Sequence, residues 1–376
     1  FASVGNDNVP VYSTSTPYNQ AIIYGDASSN LNFPYNGQNG FLINSALGNP
    51  YLKNELQKEY EVGLEMKMLK NRIGLEASYF NRKMSDGLVS GISLANSTGY
   101  ASTTINSARL QTKGLEVLLN LTPVKTKSFS WDMTVNYTKL NSKVLEIGGG
   151  LHQTSIGTIY AVEGQPWGSL FGTKYARTAD GQLMINAAGL PYASDEYGIV
   201  GNITPRWTGG ITNMFRYKQF GLSFFFDTKQ GGDIQNSDDG YGLFYGTSKP
   251  TENRADRVVK GISDVTGTAN KVSVTGQQYF QQISGITEAV IQDDSYIKLR
   301  NVTLSYNFSK SILGNLPIKD ASIVLTGRNL WIHKAAGFTG GDPEVNSWGN
   351  NNNGLGIYTF SAPTSRSYDC TLRITF

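Results

Sequence analysis

Apolar and polar side chains alternate with a period of two along much of this chain, most cleanly in its last nine residues. Tyr368, Cys370, Leu372, Ile374 and Phe376 fall on one parity; Asp369, Thr371, Arg373 and Thr375 fall on the other. Successive residues of a strand point to opposite faces, so this stretch reads as a strand with one wholly apolar face, ending on an aromatic ring. Upstream, Tyr60, Val62, Leu64, Met66 and Met68 oppose Glu61, Gly63, Glu65 and Lys67. After a tight turn at Leu69-Lys70-Asn71, a return strand sets Ile73, Leu75, Ala77 and Tyr79 against Gly74, Glu76, Ser78 and Phe80, and runs on past a break towards Ile92. The pattern predicts further strands over residues 115–121, 129–137, 207–217, 220–226, 302–308 and 321–325, about nine long strands in all. Asn213 interrupts the apolar face of one of them. Residues 1–54 are polar and read as a loop region, with at most a short strand over 21–24; residues 55–376 carry the strands.

The connections take turns in length. Short ones lie near residues 70, 125, 218 and 314, and long ones near 98, 175, 260 and 348. The long stretch over 148–205 also suggests a local hairpin between residues 170–175 and 182–185. Aromatic residues gather beside the short turns: Phe129, Trp131, Tyr217, Phe220, Phe308 and Phe376. A β-sandwich has no reason to sort its loops or its rings in this way. An antiparallel transmembrane β-barrel does, because it has short periplasmic turns, long extracellular loops and an interfacial aromatic girdle. An open sheet edge facing hydrocarbon would leave N–H and C=O groups unpaired, and by this reading the first and last long strands run in the same direction. Partner strands are therefore expected outside this sequence.

Composition agrees. Among 376 residues only 16% are charged, while Gly (42), Tyr (21) and Phe (17) are plentiful. Hydrophobic residues are 39%, low for a soluble core of this size, and the whole suits strands that are apolar on one face. A net charge of +3, spread along the chain, makes no case for nucleic acid. Cys370 is the single cysteine, so an intrachain disulfide is excluded; His152 and His333 lie far apart without metal-type neighbours.

A set of short motifs, weak singly, occurs in a specific order. It includes Asn49-Pro50-Tyr51-Leu52-Lys53-Asn54-Glu55, Glu59-Tyr60-Glu61-Val62-Gly63-Leu64-Glu65, Lys113-Gly114-Leu115-Glu116 and Pro205-Arg206-Trp207-Thr208-Gly209-Gly210. Tyr296-Ile297-Lys298-Leu299-Arg300-Asn301-Val302, Gly327-Arg328-Asn329-Leu330 and Gly341-Asp342-Pro343-Glu344 follow. The ordered set resembles the SusC/RagA group of TonB-dependent outer-membrane transporters over nearly the whole chain. The resemblance implies the C-terminal portion of a 22-stranded barrel in the bacterial outer membrane, its wall in contact with outer-membrane lipid. It also implies a plug domain and a TonB-contacting motif upstream, a SusD-like surface lipoprotein as lid, and an oligosaccharide or peptide as cargo.

Signatures of catalysis are missing: the sequence has no Gly-x-Ser-x-Gly elbow, phosphate-binding loop or His-Glu-x-x-His, so no enzyme is expected. No cofactor is indicated. The run Asn236-Ser237-Asp238-Asp239-Gly240 is similar to a calcium loop but lacks its spacing and final Glu, and reads as a solvated loop. Asp342 and Glu344 read as loop-fixing groups ahead of a cation site. Tyr241, Phe244, Tyr245 and Trp348, in long loops, are the candidate substrate-binding residues, since sugars and peptides pack on such rings. Tyr279 and Phe280 share that setting. Tyr368, Leu372, Ile374 and Phe376 are the barrel-closing set. Inward-facing Glu61, Glu65, Glu76, Glu116, Asp132, Arg216, Asp369 and Arg373 are expected to pair with one another. Energised import is the leading function; a passive porin, an adhesin-like barrel and a soluble β-rich carbohydrate-binding module are the alternatives.

Overall fold

The computed structural model describes residues 1–6, 9, 11–19, 38, 40–314, 317–347 and 355–376. The expected strand over 21–24, Trp348 and the Asn-rich run at 350–353 lie outside the described residues. Ten strands pair antiparallel in chain order: β1 (Ala2–Asn6), β2 (Glu55–Met68), β3 (Ile73–Ser93), β4 (Ser102–Lys125), β5 (Phe129–Glu146), β6 (Trp207–Tyr217), β7 (Phe220–Gln230), β8 (Tyr296–Asn307), β9 (Asp320–Lys334) and β10 (Ser367–Thr375), and the two-residue strand Ala46–Leu47 joins the same sheet in parallel with the start of β4. The nine strands from β2 onward are those that the alternation predicts; β1, paired with Glu55–Glu59, carries no such pattern.

The register shows why the period of two persists. Trp131, Phe215, Leu222, Leu304, Leu325 and Cys370 lie directly opposite one another across β5 to β10. One residue along, Asp132, Met214, Ser223, Thr303, Thr326 and Asp369 form the next row. A one-residue slip would exchange the two faces, so the pattern fixes the register. Beside the short turns Phe129, Tyr217, Phe220 and Tyr306 are likewise in direct register, an aromatic row across four strands.

Tight reversals join the strands at one end. Leu69, Lys70 and Asn71 all take left-handed backbone angles, with φ of 52°, 57° and 62°, and Lys218 does so at 51°. The longest connection at this end, between β8 and β9, holds a short helix at Lys310–Leu313. β3 and β4 run well beyond the apolar pattern, to Ser93 and from Ser102, and they pair with register shifts after Met84. Backbone pairing continues there with the strict alternation lost, although Val89 and Ile92 stay buried. Midway along this pair the Phe80 ring lies flat over Gly114, directly opposite it, where an added Cβ would fall 2.2 Å from the ring.

The opposite end carries the long connections, and three of them fold. Residues 147–206 contain a small sheet of Gln153–Ile156, Ile159–Val162, Ser169–Tyr175 and Ala193–Asn202. The expected hairpin is corrected here. Ser169–Tyr175 pairs with Ala193–Asn202, and Met184–Ile185 pairs in parallel with Ile262–Ser263 of the next connection. The chain does reverse between Arg177 and Leu183, but that turn is too short to supply the ladder. Residues 231–295 contain two helices, α1 (Ser237–Tyr245) and α2 (Gly276–Ser284), where the sequence reading expects loop.

Buried clusters lock these segments together. Leu243, Phe280, Ile283 and Val290 enclose Tyr175 from the first connection, and Ile185 packs with Val259 and Val274. Ile234 packs with Phe338 and Tyr358 of the third. The three connections thus form one folded cap over this end of the sheet.

Candidate functional site: an aromatic ridge on the cap

α1 begins at Asn236, whose side chain accepts from the Asp239 backbone N–H at 3.1 Å, and ends at Gly246 in a left-handed conformation (φ 71°). α2 begins with a reciprocal capping box between Thr275 and Gln278. These caps orient the helices so that Leu243, Phe280 and Ile283 turn inward. The opposite edge of α1 presents Tyr241, Phe244 and Tyr245, exposed by 56%, 47% and 72%. The structure therefore brings three of the four candidate substrate residues onto one ridge.

Two clefts flank that ridge, and Phe244 and Tyr245 line both. One, of about 590 Å³, lies between α1 and α2 and includes Arg254, Gln277 and Gln281. The other, of about 410 Å³, includes Tyr241, Gln235, Ser237 and Ser284. Tyr279 and Phe280 instead hold the cap together: Phe280 is buried, Tyr279 packs beside it, and the Arg257 guanidinium lies over both rings at 5.0 and 4.7 Å.

Phe360, from the third connection, extends the ridge. Its ring lies 5.6 Å from that of Tyr241 and is three-quarters exposed. Its backbone is left-handed (φ 43°), which is uncommon for a bulky residue, and its N–H donates to Asp238 Oδ1 at 2.6 Å. Nothing in the local sequence announces it. The acidic run is not the solvated loop expected: it forms the first turn of α1. Asp239 is buried, accepts from Gln292 Nε2 at 3.0 Å, and has its carboxyl pushed up by that burial.

An ionic network ties the cap to the sheet. Lys298 Nζ donates to Asp342 Oδ1 and Oδ2 at 2.7 and 2.9 Å and to Glu344 Oε2 at 2.6 Å. Arg300 spans Asp227, through two 2.7 Å bonds, and Glu344. Asp342 and Glu344 thus fix the third connection to β8. Burial would raise both carboxyls, but bonds from Lys298 and Thr364 to Asp342, and from Arg300 and Lys298 to Glu344, outweigh it and hold them below the usual range.

The other polar-face groups do not pair as expected. Glu65 binds Lys67 at 2.7 Å, Glu61 accepts from Ser78, Asp132 from Thr122, and Asp369 meets Arg328 at 3.3 Å. The expected mutual pairing fails because Glu65 and Glu76, of like sign, are direct cross-strand neighbours. On β10, Tyr368, Leu372 and Ile374 lie on the apolar face opposite Gly327, Ile323 and Ala321, and Lys319 Nζ donates to the Phe376 carbonyl at 2.9 Å.

Comparison with known proteins gives a consistent picture. The chain matches the family described as TonB dependent receptor-like, beta-barrel, over residues 5–330. It is 25% identical to TonB-dependent receptor P3 of Formosa agariphila, covering 100% of this chain and 39% of that protein. It is 28% identical to TonB-dependent receptor P26 of the same organism, covering 87% and 35%. Over 105 residues, 27% of the chain, it is 30% identical to TonB-dependent receptor SusC of Bacteroides thetaiotaomicron. The solved RagAB peptide transporter superposes with a TM-score of 0.71 at 20% identity, over 100% of this chain and 40% of that one. The chain thus spans about two-fifths of the length of the first of these relatives. With its alternating sheet and its loops sorted by length between two ends, this chain belongs to the TonB-dependent receptor-like β-barrel family of the bacterial outer membrane.

Proposed function

We propose that this chain forms the C-terminal wall and outer mouth of a SusC/RagA-type importer, which takes up oligosaccharides or peptides with energy delivered through TonB. The observation that carries the reading is the folded cap. Three long connections interlock through buried clusters at one end of a sheet whose other end has short connections. A passive pore has little use for so much ordered structure over its mouth. In the whole protein, strands beyond this chain pair both sheet edges: the outer edge of residues 60–68 and that of β10 carry no partner among the described residues. Such a barrel would have 22 strands, enclose a plug with the TonB-contacting motif, and sit beneath a SusD-like lipoprotein. Tyr241, Phe244 and Tyr245 would meet cargo as it enters.

Uptake of labelled oligosaccharides and peptides by cells that make the full-length protein tests this. Import should stop when TonB is deleted or the proton gradient is collapsed, and a surface lipoprotein should co-purify with the barrel. Uptake that continues undiminished without TonB would establish a passive porin instead.

A further inference from the structure

We propose that the cleft between α1 and α2 is a subsite for the carboxylate of a uronate-containing oligosaccharide, with Arg254 as the ion-pairing group. The proposal deepens the importer reading and rests on cargo passing this mouth. The cleft, of about 590 Å³, holds a cation with no opposing charge: Arg254 forms no ion pair among the described residues. One of its amino groups donates to the Gly246 carbonyl at 3.0 Å, which braces the guanidinium against the C-terminal turn of α1. Its backbone is pressed against the first turn of α2, where a Cβ on Gly276 would meet the Arg254 carbonyl oxygen at 2.7 Å. The side chain is thus rooted on both helices, with donors left over. A guanidinium presents a planar fork that matches a carboxylate bidentately.

The other walls select a sugar over a peptide. Phe244 and Tyr245 offer exposed ring faces, on which the apolar face of a pyranose can lie. Gln277 and Gln281 add amides that donate and accept, as sugar hydroxyls do. Extended peptides are commonly held by strand addition to a free sheet edge. This cleft is lined by two helices and their flanking turns and offers no such edge.

The test is equilibrium binding to the full-length protein in detergent at low salt. The probes are oligomers of galacturonate, glucuronate and mannuronate, their neutral methyl esters, and a Glu-rich peptide. At least one acid oligomer should bind about tenfold or more tightly than its ester, and in Arg254→Gln the ratio of acid to ester affinity should fall to about one. Tyr245→Ala should weaken acid and ester alike. Equal binding of acid and ester, or a preference that survives Arg254→Gln, would overturn the subsite. So would Arg254-dependent binding of the peptide in place of every oligosaccharide. If no probe binds while uptake still depends on TonB, the subsite falls and the importer reading stands. Uptake independent of TonB would remove the importer reading whatever the binding result.

Discussion

The indole N–H of Trp131 on β5 donates to Asn213 Oδ1 on β6 at 3.0 Å, on the face that is otherwise apolar. This bond explains why a polar residue interrupts the apolar face of β6. Asn213 is 7% exposed, and Trp131 stacks on Phe215 at 5.6 Å. In hydrocarbon neither polar group finds water, so each satisfies the other. Asn213→Ala should lower the unfolding free energy in lipid by about 1–2 kcal/mol, because the indole N–H loses its acceptor. Trp131→Phe in that background should add less than it costs alone. Urea unfolding from vesicles, run as a double-mutant cycle, measures the coupling.

Lys298 and Asp342 form the anchor of the cap, each only 3% exposed at its side chain. Asp342→Asn leaves Lys298 buried with Glu344 alone. Removing one partner of a buried pair costs about 3–5 kcal/mol when nothing replaces it, and Glu344 should hold the loss to the lower end. The expected result is a faster local opening of residues 335–347, seen as lost amide protection there, with the tight turn at Leu69–Asn71 unaffected. Lys298→Met, which removes the charge and keeps the length, should loosen the same segment.

Acidity should act on the two sides of the cap with opposite sign. Burial lifts the Asp294 carboxyl to about 6, against the pull of its ion pair with Lys229, and nearby Asp233 and Asp293 add to the rise. Once the segment opens, that carboxyl returns to about 3.9. The closed state therefore holds the extra proton between these values. Its stability from this group is full below about pH 4, declines towards pH 6 and is flat above. A gap of this size corresponds to about 2–3 kcal/mol. Asp342 and Glu344, held low by Lys298 and Arg300, behave the other way: their contribution is present at neutral pH and lost on acidification. Hydrogen exchange between pH 4 and 6.5, corrected for intrinsic rates, should show protection near Asp294 falling as pH rises. Asp294→Asn should abolish that slope and leave the one near Asp342.

Much of the sheet was legible because lipid on one side and water on the other force a strict alternation. The nine long strands, the turn positions and the aromatic row at Phe129, Tyr217 and Phe220 follow from that constraint, whereas β1 and Ala46–Leu47, which lack the alternation, do not. Where it lapses, legibility lapses too. β3 and β4 continue beyond Phe80 and Gly114 through register shifts that break the alternation, so the run towards Ile92 shows only past a break. The caps of α1 and α2 were present as Asn236 before Asp239 and Thr275 before Gln278, and α2 sets Tyr279, Phe280 and Ile283 at helical spacing; only α1, rich in Gly and Tyr, carries little apolar rhythm. Among the candidate residues, the ridge of Tyr241, Phe244 and Tyr245 follows from helical spacing once α1 is known. Phe360 and Arg254 join it through contacts distant in sequence, and those lie beyond any local pattern.

The account turns on which residues of a strand face acyl chains. Single cysteines placed at Val302, Thr303, Leu304, Ser305 and Tyr306 of β8, in a Cys370→Ser background, would carry an environment-sensitive fluorophore in lipid vesicles. Labels at 302, 304 and 306 should be quenched by bromine-bearing lipid tails and shielded from aqueous iodide, and those at 303 and 305 should show the reverse. Labels that all respond to iodide, or that show no alternation between neighbours, would contradict the barrel and the importer built on it.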